Sequence, residues 1–306
     1  MRRTGRGRSP LDPPYNRPHG GGVTITLRTR STRKSRLVAL VAILAATTLL
    51  ASGATFADAA SSHPRSDRAM SDGARQRAGR RACSAETPPT GTETFLRGVD
   101  VSHWNETIDW NQVKAAGIEF AYAKATQRVD FEDPMYATYK TDARTAHVRF
   151  GAYEYMDVMG GAKAAVKDAD HFVSFAALDE RNLVPVLDAE QTNGYTPAKL
   201  QKWMMAWLRE VYKKLRVRPI IYTSPSFWTT ALADTTQFSQ LGYPLWIAHW
   251  GVDTPTLPAL DWNARGWTFW QWTDCGTVAG ITGDVDLDLF QGTLLRPVVI
   301  KGARTP

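Results

Sequence analysis

The sequence predicts an α/β fold: a single irregular β/α barrel, TIM-like, with the last strands lacking helices. Three observations point there. Between residues 96 and 296, apolar runs with strand character alternate with helical stripes, the pattern of parallel strands joined by crossover helices. That span is about 200 residues, short of the roughly 250 that eight full βα units occupy. Toward the end the pattern changes: residues 267–272 and 284–289 look like strands with little helical periodicity between them.

The elements follow in order. Leu96-Arg97-Gly98-Val99-Asp100-Val101 is the opening strand. Residues 108–116 form a short helix stopped by Gly117. Phe120-Ala121-Tyr122-Ala123-Lys124-Ala125 is a strand, and residues 134–147 a helix. An aromatic-rich strand over 150–156, a helix over 162–178 and a strand over 183–190 come next. Thr196-Pro197 has N-cap and first-turn chemistry for the longest helix. Its apolar positions Leu200, Trp203, Met204, Trp207, Leu208 and Val211 recur at three and four, which is one buried stripe. Residues 219–223 and 244–250 are further strands. The barrel domain is therefore placed at 96–296, with 297–306 as a C-terminal tail.

Residues 1–59 read as a signal peptide with an extended basic N-region. Arg28, Arg30, Arg33, Lys34 and Arg36 precede an uncharged apolar stretch over 37–57, and Ala57-Asp58-Ala59 is an A-x-A-like cleavage site. The stretch is also long enough to span a bilayer, but Ala, Thr, Ser and Gly dilute its second half and favour cleavage. Residues 60–95 are polar and read as a flexible linker or pro-segment. The expectation is a secreted monomer, extracellular or cell-wall associated, with no membrane attachment after cleavage.

The whole-chain net charge is +7, from 37 Lys+Arg and 30 Asp+Glu. Residues 1–95 hold 16 of the basic and 6 of the acidic residues, net +10, so the remainder has 21 against 24, net −3. The basic balance belongs to the export and linker segments and gives no ground for a nucleic-acid partner. Cys83 and Cys275, the two cysteines, permit one disulfide in an exported protein. No Cys/His cluster has zinc spacing and no Gly-rich phosphate loop occurs, so no cofactor is expected.

The segment Leu183-Val184-Pro185-Val186-Leu187-Asp188-Ala189-Glu190 carries the chemistry. An apolar run ends in two carboxylates one residue apart, which on an extended strand project to the same side. Neighbouring carboxylates push their proton affinities apart, so one stays ionised while the other carries a transferable proton. An isolated Asp-x-Glu is more often a strand end followed by a solvated acidic turn. Its placement raises it: Asp100, Asp188, Glu190 and Asp286 all stand at predicted strand tips, where a barrel gathers its functional groups. Tyr122, Tyr153, Tyr155, Tyr222, Trp246, Trp250, Trp270 and Trp272 lie near them. Acids beside aromatic faces suit a sugar, whose C–H faces stack and whose hydroxyls bond to carboxylates.

Gly98-Val99-Asp100-Val101-Ser102-His103-Trp104 resembles the opening motif of glycoside hydrolase family 25, the Chalaropsis-type lysozymes. The similarity continues, in order, through Phe120 to Thr126, Phe150-Gly151-Ala152-Tyr153, Val186 to Glu190, Ile221-Tyr222-Thr223, Leu245 to Trp250, Trp270-Gln271-Trp272 and Gly283 to Phe290. The resemblance implies a partly irregular barrel that cleaves the β-1,4 bond between N-acetylmuramic acid and N-acetylglucosamine in peptidoglycan glycan strands. By position it makes Glu190 the general acid, held protonated by acidic neighbours and partial burial. It makes Asp188 the support of the substrate's 2-acetamido group and completes the acidic floor with Asp100 and Asp286. Tyr153, Tyr222 and Trp246 would line the sugar cleft, with Tyr122, Lys124 and Gln271 as further substrate-binding candidates. Two positions depart from the family pattern. Glu154 stands where a His is common and should point away from Tyr153; Asn105 stands where Gln is frequent. A chitinase-like hydrolase and a non-catalytic wall-binding module are the competing readings. N-terminal sequencing of exported protein is expected to begin at Ala60; a start before Leu37 would show the apolar stretch retained.

Overall fold

The computed structural model describes residues 88–92 and 94–301. The expected signal peptide, most of the linker, and Cys83 lie outside the described residues. Eight strands close into a barrel: β1 (Leu96–Val101), β2 (Ile118–Gln127), β4 (Arg149–Tyr155), β5 (Val186–Asp188), β6 (Ile220–Thr223), β7 (Leu245–Ala248), β8 (Phe269–Gly276) and β9 (Val285–Phe290). Closure comes from β1 pairing parallel with β2 and antiparallel with β9. All the ring pairs from β1 to β8 are parallel, and β9 runs antiparallel to both its neighbours. The cause is local. Parallel neighbours need a crossover of about a dozen residues or more, and residues 277–284 are too short for one. A two-residue strand β3 (Phe131–Glu132) folds back on β2 outside the ring.

The helices are α1 (Trp110–Ala115), α2 (Tyr136–Thr145), α3 (Ala162–Ala176), α4 (Pro197–Leu215), α5 (Pro225–Ala231), α6 (Gln237–Gln240) and α7 (Pro258–Ala264). The first four match the periodic stripes of the sequence. The last three are short helices around β7 that the sequence did not show, because one or two turns carry too few apolar positions to define a period. Helix α7 is left-handed, with φ near +55° from Ala259 to Ala264. That hand is disfavoured for L-residues, and side chains clamp it. Trp262 Nε1 donates to Tyr243 O (2.7 Å), Asp234 Oδ1 accepts from Ala259 N (2.7 Å), and the Trp228 and Trp262 rings meet edge-on at 4.8 Å.

Strand alternation sorts the barrel into two cores. The interior is filled by Phe120, Tyr122, Val186, Ile220, Trp246, Phe269 and Phe290. Two of these rings stand where a neighbouring strand has no side chain. A Cβ on Gly98 would lie 2.2 Å from Phe120, and one on Gly151 would lie 2.3 Å from Tyr122. The outward positions Val99, Ala121, Ala123, Leu187 and Ile221 meet the helices. The α4 stripe packs there, with Trp207 and Phe172 of α3 at 5.3 Å. Glu154 does point outward, as its place beside Tyr153 predicts; it is fully buried there and accepts from Thr126 Oγ1 (3.2 Å). Residues 297–300, read from sequence as tail, instead close the barrel floor. Val184 N donates to Val298 O (2.8 Å), Ile300 N to Asn182 O (3.0 Å), and Val298 and Ile300 are buried. A few apolar residues in so short a stretch define no period, so nothing local marked this packing.

Gly98→Ala should destabilise the fold by roughly 1–3 kcal/mol through overpacking, and Trp207→Ala by roughly 3–5 kcal/mol, read as lowered urea midpoints. A neutral Gly98→Ala would mean that Phe120 moves freely inside the barrel.

Candidate active site

The strand C-terminal ends surround an open cleft of about 880 Å³. Asp100 (β1), Lys124 (β2), Tyr153 and Tyr155 (β4), Asp188 (β5) and Tyr222 (β6) line it, followed by Trp246 (β7) and Gln271 (β8). Because β9 runs the other way, its N-terminal end brings Asp286 to the same rim. Glu190 stands two residues past Asp188 and lines the same cleft, as the period-two spacing predicts, while Ala189 between them is buried behind. The sequence-predicted acids therefore meet, although they come from three separate segments of the chain.

Gln271 organises the floor. Its Oε1 accepts from Tyr222 OH (2.9 Å) and from Trp250 Nε1 (3.0 Å), and its Nε2 donates to Asp100 Oδ2 (2.7 Å). An indole N–H can only donate, so the amide orientation is determined and Asp100 must accept. Burial pushes the Asp100 carboxyl up to about 6, against the opposing hydrogen bonds of Gln271 and Asp288.

Asp188 is buried, and its Oδ1 has no hydrogen-bond partner in the protein. Burial raises its proton affinity well above the usual carboxylate range; Glu190 and Asp100 add to the rise and Lys124 opposes it. Lys124 is itself buried, with Nζ 5.0 Å from the Phe131 ring centre and 4.8 Å from that of Tyr155. It donates to Gln127 Oε1 (2.8 Å), and Gln127 Nε2 in turn to Asp157 Oδ2 (3.0 Å). Burial lowers its pKa, and the charges of Asp188, Asp133, Glu190 and Asp157 hold it up. One buried cation thus stands among several acids.

Some sequence expectations change. Glu190 is exposed, so the partial burial expected to hold its proton is absent in the open cleft. Tyr122 lies below the cleft rather than in it, fully buried, with its OH on Val184 O (3.1 Å). Trp270 and Trp272 face outward, because Gln271 between them takes the inward position; Trp270 Nε1 donates to His249 O (2.8 Å). Cys275 on β8 is disulfide-bonded. The sequence did not single out Asp288, which lies beneath the floor and accepts from Trp246 Nε1 (3.0 Å). Its period-two spacing from Asp286 was the available signal. Nor did it place Ser224, Pro225 and Phe227 at the start of α5, which form one wall of the cleft.

Several acids, one buried cation and flanking Tyr and Trp rings, set at the strand ends of a β/α barrel, define the cleft of a glycoside hydrolase. The family model described as glycosyl hydrolases family 25 matches residues 99–281, and the chain belongs to that family. It is 34% identical over 212 residues to "Lysozyme M1" of Streptomyces globisporus, covering 66% of this chain and 69% of that one. It is 24% identical to "N,O-diacetylmuramidase" of Chalaropsis sp, covering 62% of this chain and 96% of that one. The crystal structure of the bacterial lysozyme from Streptomyces coelicolor superposes with a TM-score of 0.59 at 32% identity, covering 66% of this chain and 94% of that one. The resemblance seen in the sequence motifs is thereby shown.

The raised carboxyls give stability a sign. Asp100 and Asp168, both near 6, bind protons more tightly folded than unfolded. Folding then takes up protons between about pH 4 and 6, and stability falls as pH rises through 6. The melting temperature should be higher at pH 5 than at pH 7.5. Asp100→Asn should raise it at pH 7.5 by the equivalent of up to about 3 kcal/mol. An Asp100→Asn melt below wild type at that pH would remove burial as the cause.

Proposed function

We propose that the protein is an exported N-acetylmuramidase, a lysozyme that hydrolyses the β-1,4 bond between N-acetylmuramic acid and N-acetylglucosamine. The observation that carries this reading is the buried, unpartnered Asp188 Oδ1 beside the exposed Glu190. A buried acceptor with no donor is expensive to leave empty, and the N–H of a 2-acetamido sugar is a donor that would satisfy it. In the open cleft, burial favours a proton on Asp188. A seated sugar reverses the balance: its N–H stabilises the Asp188 anion, and its ring covers Glu190 from water. The proton then belongs on Glu190, within reach of the leaving oxygen.

Glu190 protonates the glycosidic oxygen as an oxocarbenium-like state develops. The acetamido oxygen, oriented through Asp188, attacks the anomeric carbon from the opposite side and forms an oxazolinium-type intermediate. Water opens it with Glu190 acting as base, and the anomeric configuration is retained. Tyr153, Tyr222 and Trp246 wall the ring, while Lys124 limits the repulsion among the acids. The signal-like segment before residue 60 and the wall substrate agree with secretion. Among the described residues no helix is long and apolar enough to cross a membrane.

Glu190→Gln should lower kcat on purified peptidoglycan by at least about 1,000-fold and leave binding of N-acetylated glycan within a few-fold. Mass spectrometry of the released fragments should find muramic acid at the reducing ends, with chitin left intact. Glucosamine reducing ends, or near-normal turnover by the variant, would sink the assignment.

A further inference from the structure

Asp288 has no part in the chemistry above, yet its surroundings are as specific as those of any acid in the cleft. It is fully buried inside the barrel, two residues along β9 from Asp286. It pairs across β1 with Gly98 and across β8 with Gln271. The missing side chain at Gly98 leaves that position to Phe120, and the β1 group that acts on Asp288 is Asp100. Trp246 Nε1 donates to its Oδ1 at 3.0 Å. Its Oδ2 is buried with no donor on it, and Asp100 is the charged neighbour that acts on it most strongly. Asp286 of its own strand and Tyr122 of β2 are the other titratable groups that feel its charge.

These contacts determine where a proton must be. The indole occupies Oδ1 as a donor, so a proton on Asp288 resides on Oδ2, where Asp100 is the carboxyl able to accept it. Gln271 already donates to Asp100 Oδ2. Two carboxyls in contact away from water are stable only when they share a proton. An ionised Asp288 would also add a negative charge to a cleft that holds Asp188, Glu190 and Asp286.

We propose that Asp288 is a positioning residue of the cleft: it keeps a proton between Trp246 and Asp100 and donates it to Asp100, fixing that carboxylate from below while Gln271 fixes it from the side. Asp100 thereby has two donors and can be anionic without a second buried anion next to it. Trp246 is tied into the same unit, so a wall of the sugar cleft and an acid of its floor are registered through one buried carboxyl. The inference rests on the glycoside-cleaving reading of the cleft, and its test includes a readout that needs no turnover.

The test compares Asp288→Asn with Asp288→Ala. An Asn side chain can accept from Trp246 and donate to Asp100, so it reproduces the neutral acid; Ala does neither. The Asn variant should keep kcat/KM on peptidoglycan within about threefold, whereas Ala should lose at least about tenfold in kcat with KM little changed. Carboxyl ¹³C NMR of the folded, substrate-free proteins should show the Asp100 titration close to wild type in the Asn variant and moved to higher pH in the Ala variant. A merely structural role would leave it in place. Should the Ala variant fail to fold, Asp288→Ser replaces it. An Asn variant as impaired as Ala, or an unmoved Asp100 titration in both, overturns the proposal. If wild-type protein cleaves no glycan, the functional reading fails, and the NMR titration still decides the role of Asp288.

Discussion

The cleft depends on holding several carboxyl groups close together and mostly away from water. Asp100, Asp188 and Asp288 are each raised by burial before any neighbour acts on them. Such an arrangement is unfavourable on its own, and the surrounding structure supplies what offsets it. Gln271 and Trp246 donate hydrogen bonds, Lys124 supplies positive charge, and the aromatic barrel interior below is rigid enough to hold them in register.

The unusual direction of β9 follows from the same need. In a barrel of eight parallel strands, each strand offers its C-terminal tip to the active end. Here the short 277–284 connection turns the last strand around, so Asp286 and Asp288 descend from the rim into the interior as one same-facing pair. One acid meets the cleft and the other lies beneath it. A helical crossover would have delivered a strand C-terminus there, and with it a different set of side chains.

The two glycine positions link the motifs to the geometry. Gly98 lies two residues before Asp100, and Gly151 two before Tyr153. In each case the empty inward position is filled by a ring from β2, Phe120 or Tyr122. The ring layer that results forms the base on which the polar floor rests. Tyr122 belongs to this layer, which is why it is conspicuous in the sequence and yet absent from the cleft surface.

Much of this was legible in the chain itself. Period-two alternation placed Asp188 and Glu190 on one side and turned Glu154 to the other. The three-and-four stripe of α4 named its buried face, and the weak helical signal near the end foretold last strands joined without a helix. These are local properties, determined by backbone geometry over a few residues. What the sequence did not determine arises from contacts between distant segments. Asp288 became a buried acid only because Trp246 and Asp100 close around it. Trp270 and Trp272 lost their place in the cleft to Gln271, residues 297–300 became the barrel floor, and Glu190 proved exposed. Burial and hydrogen-bond partners belong to the assembled barrel, and so do the proton affinities they set.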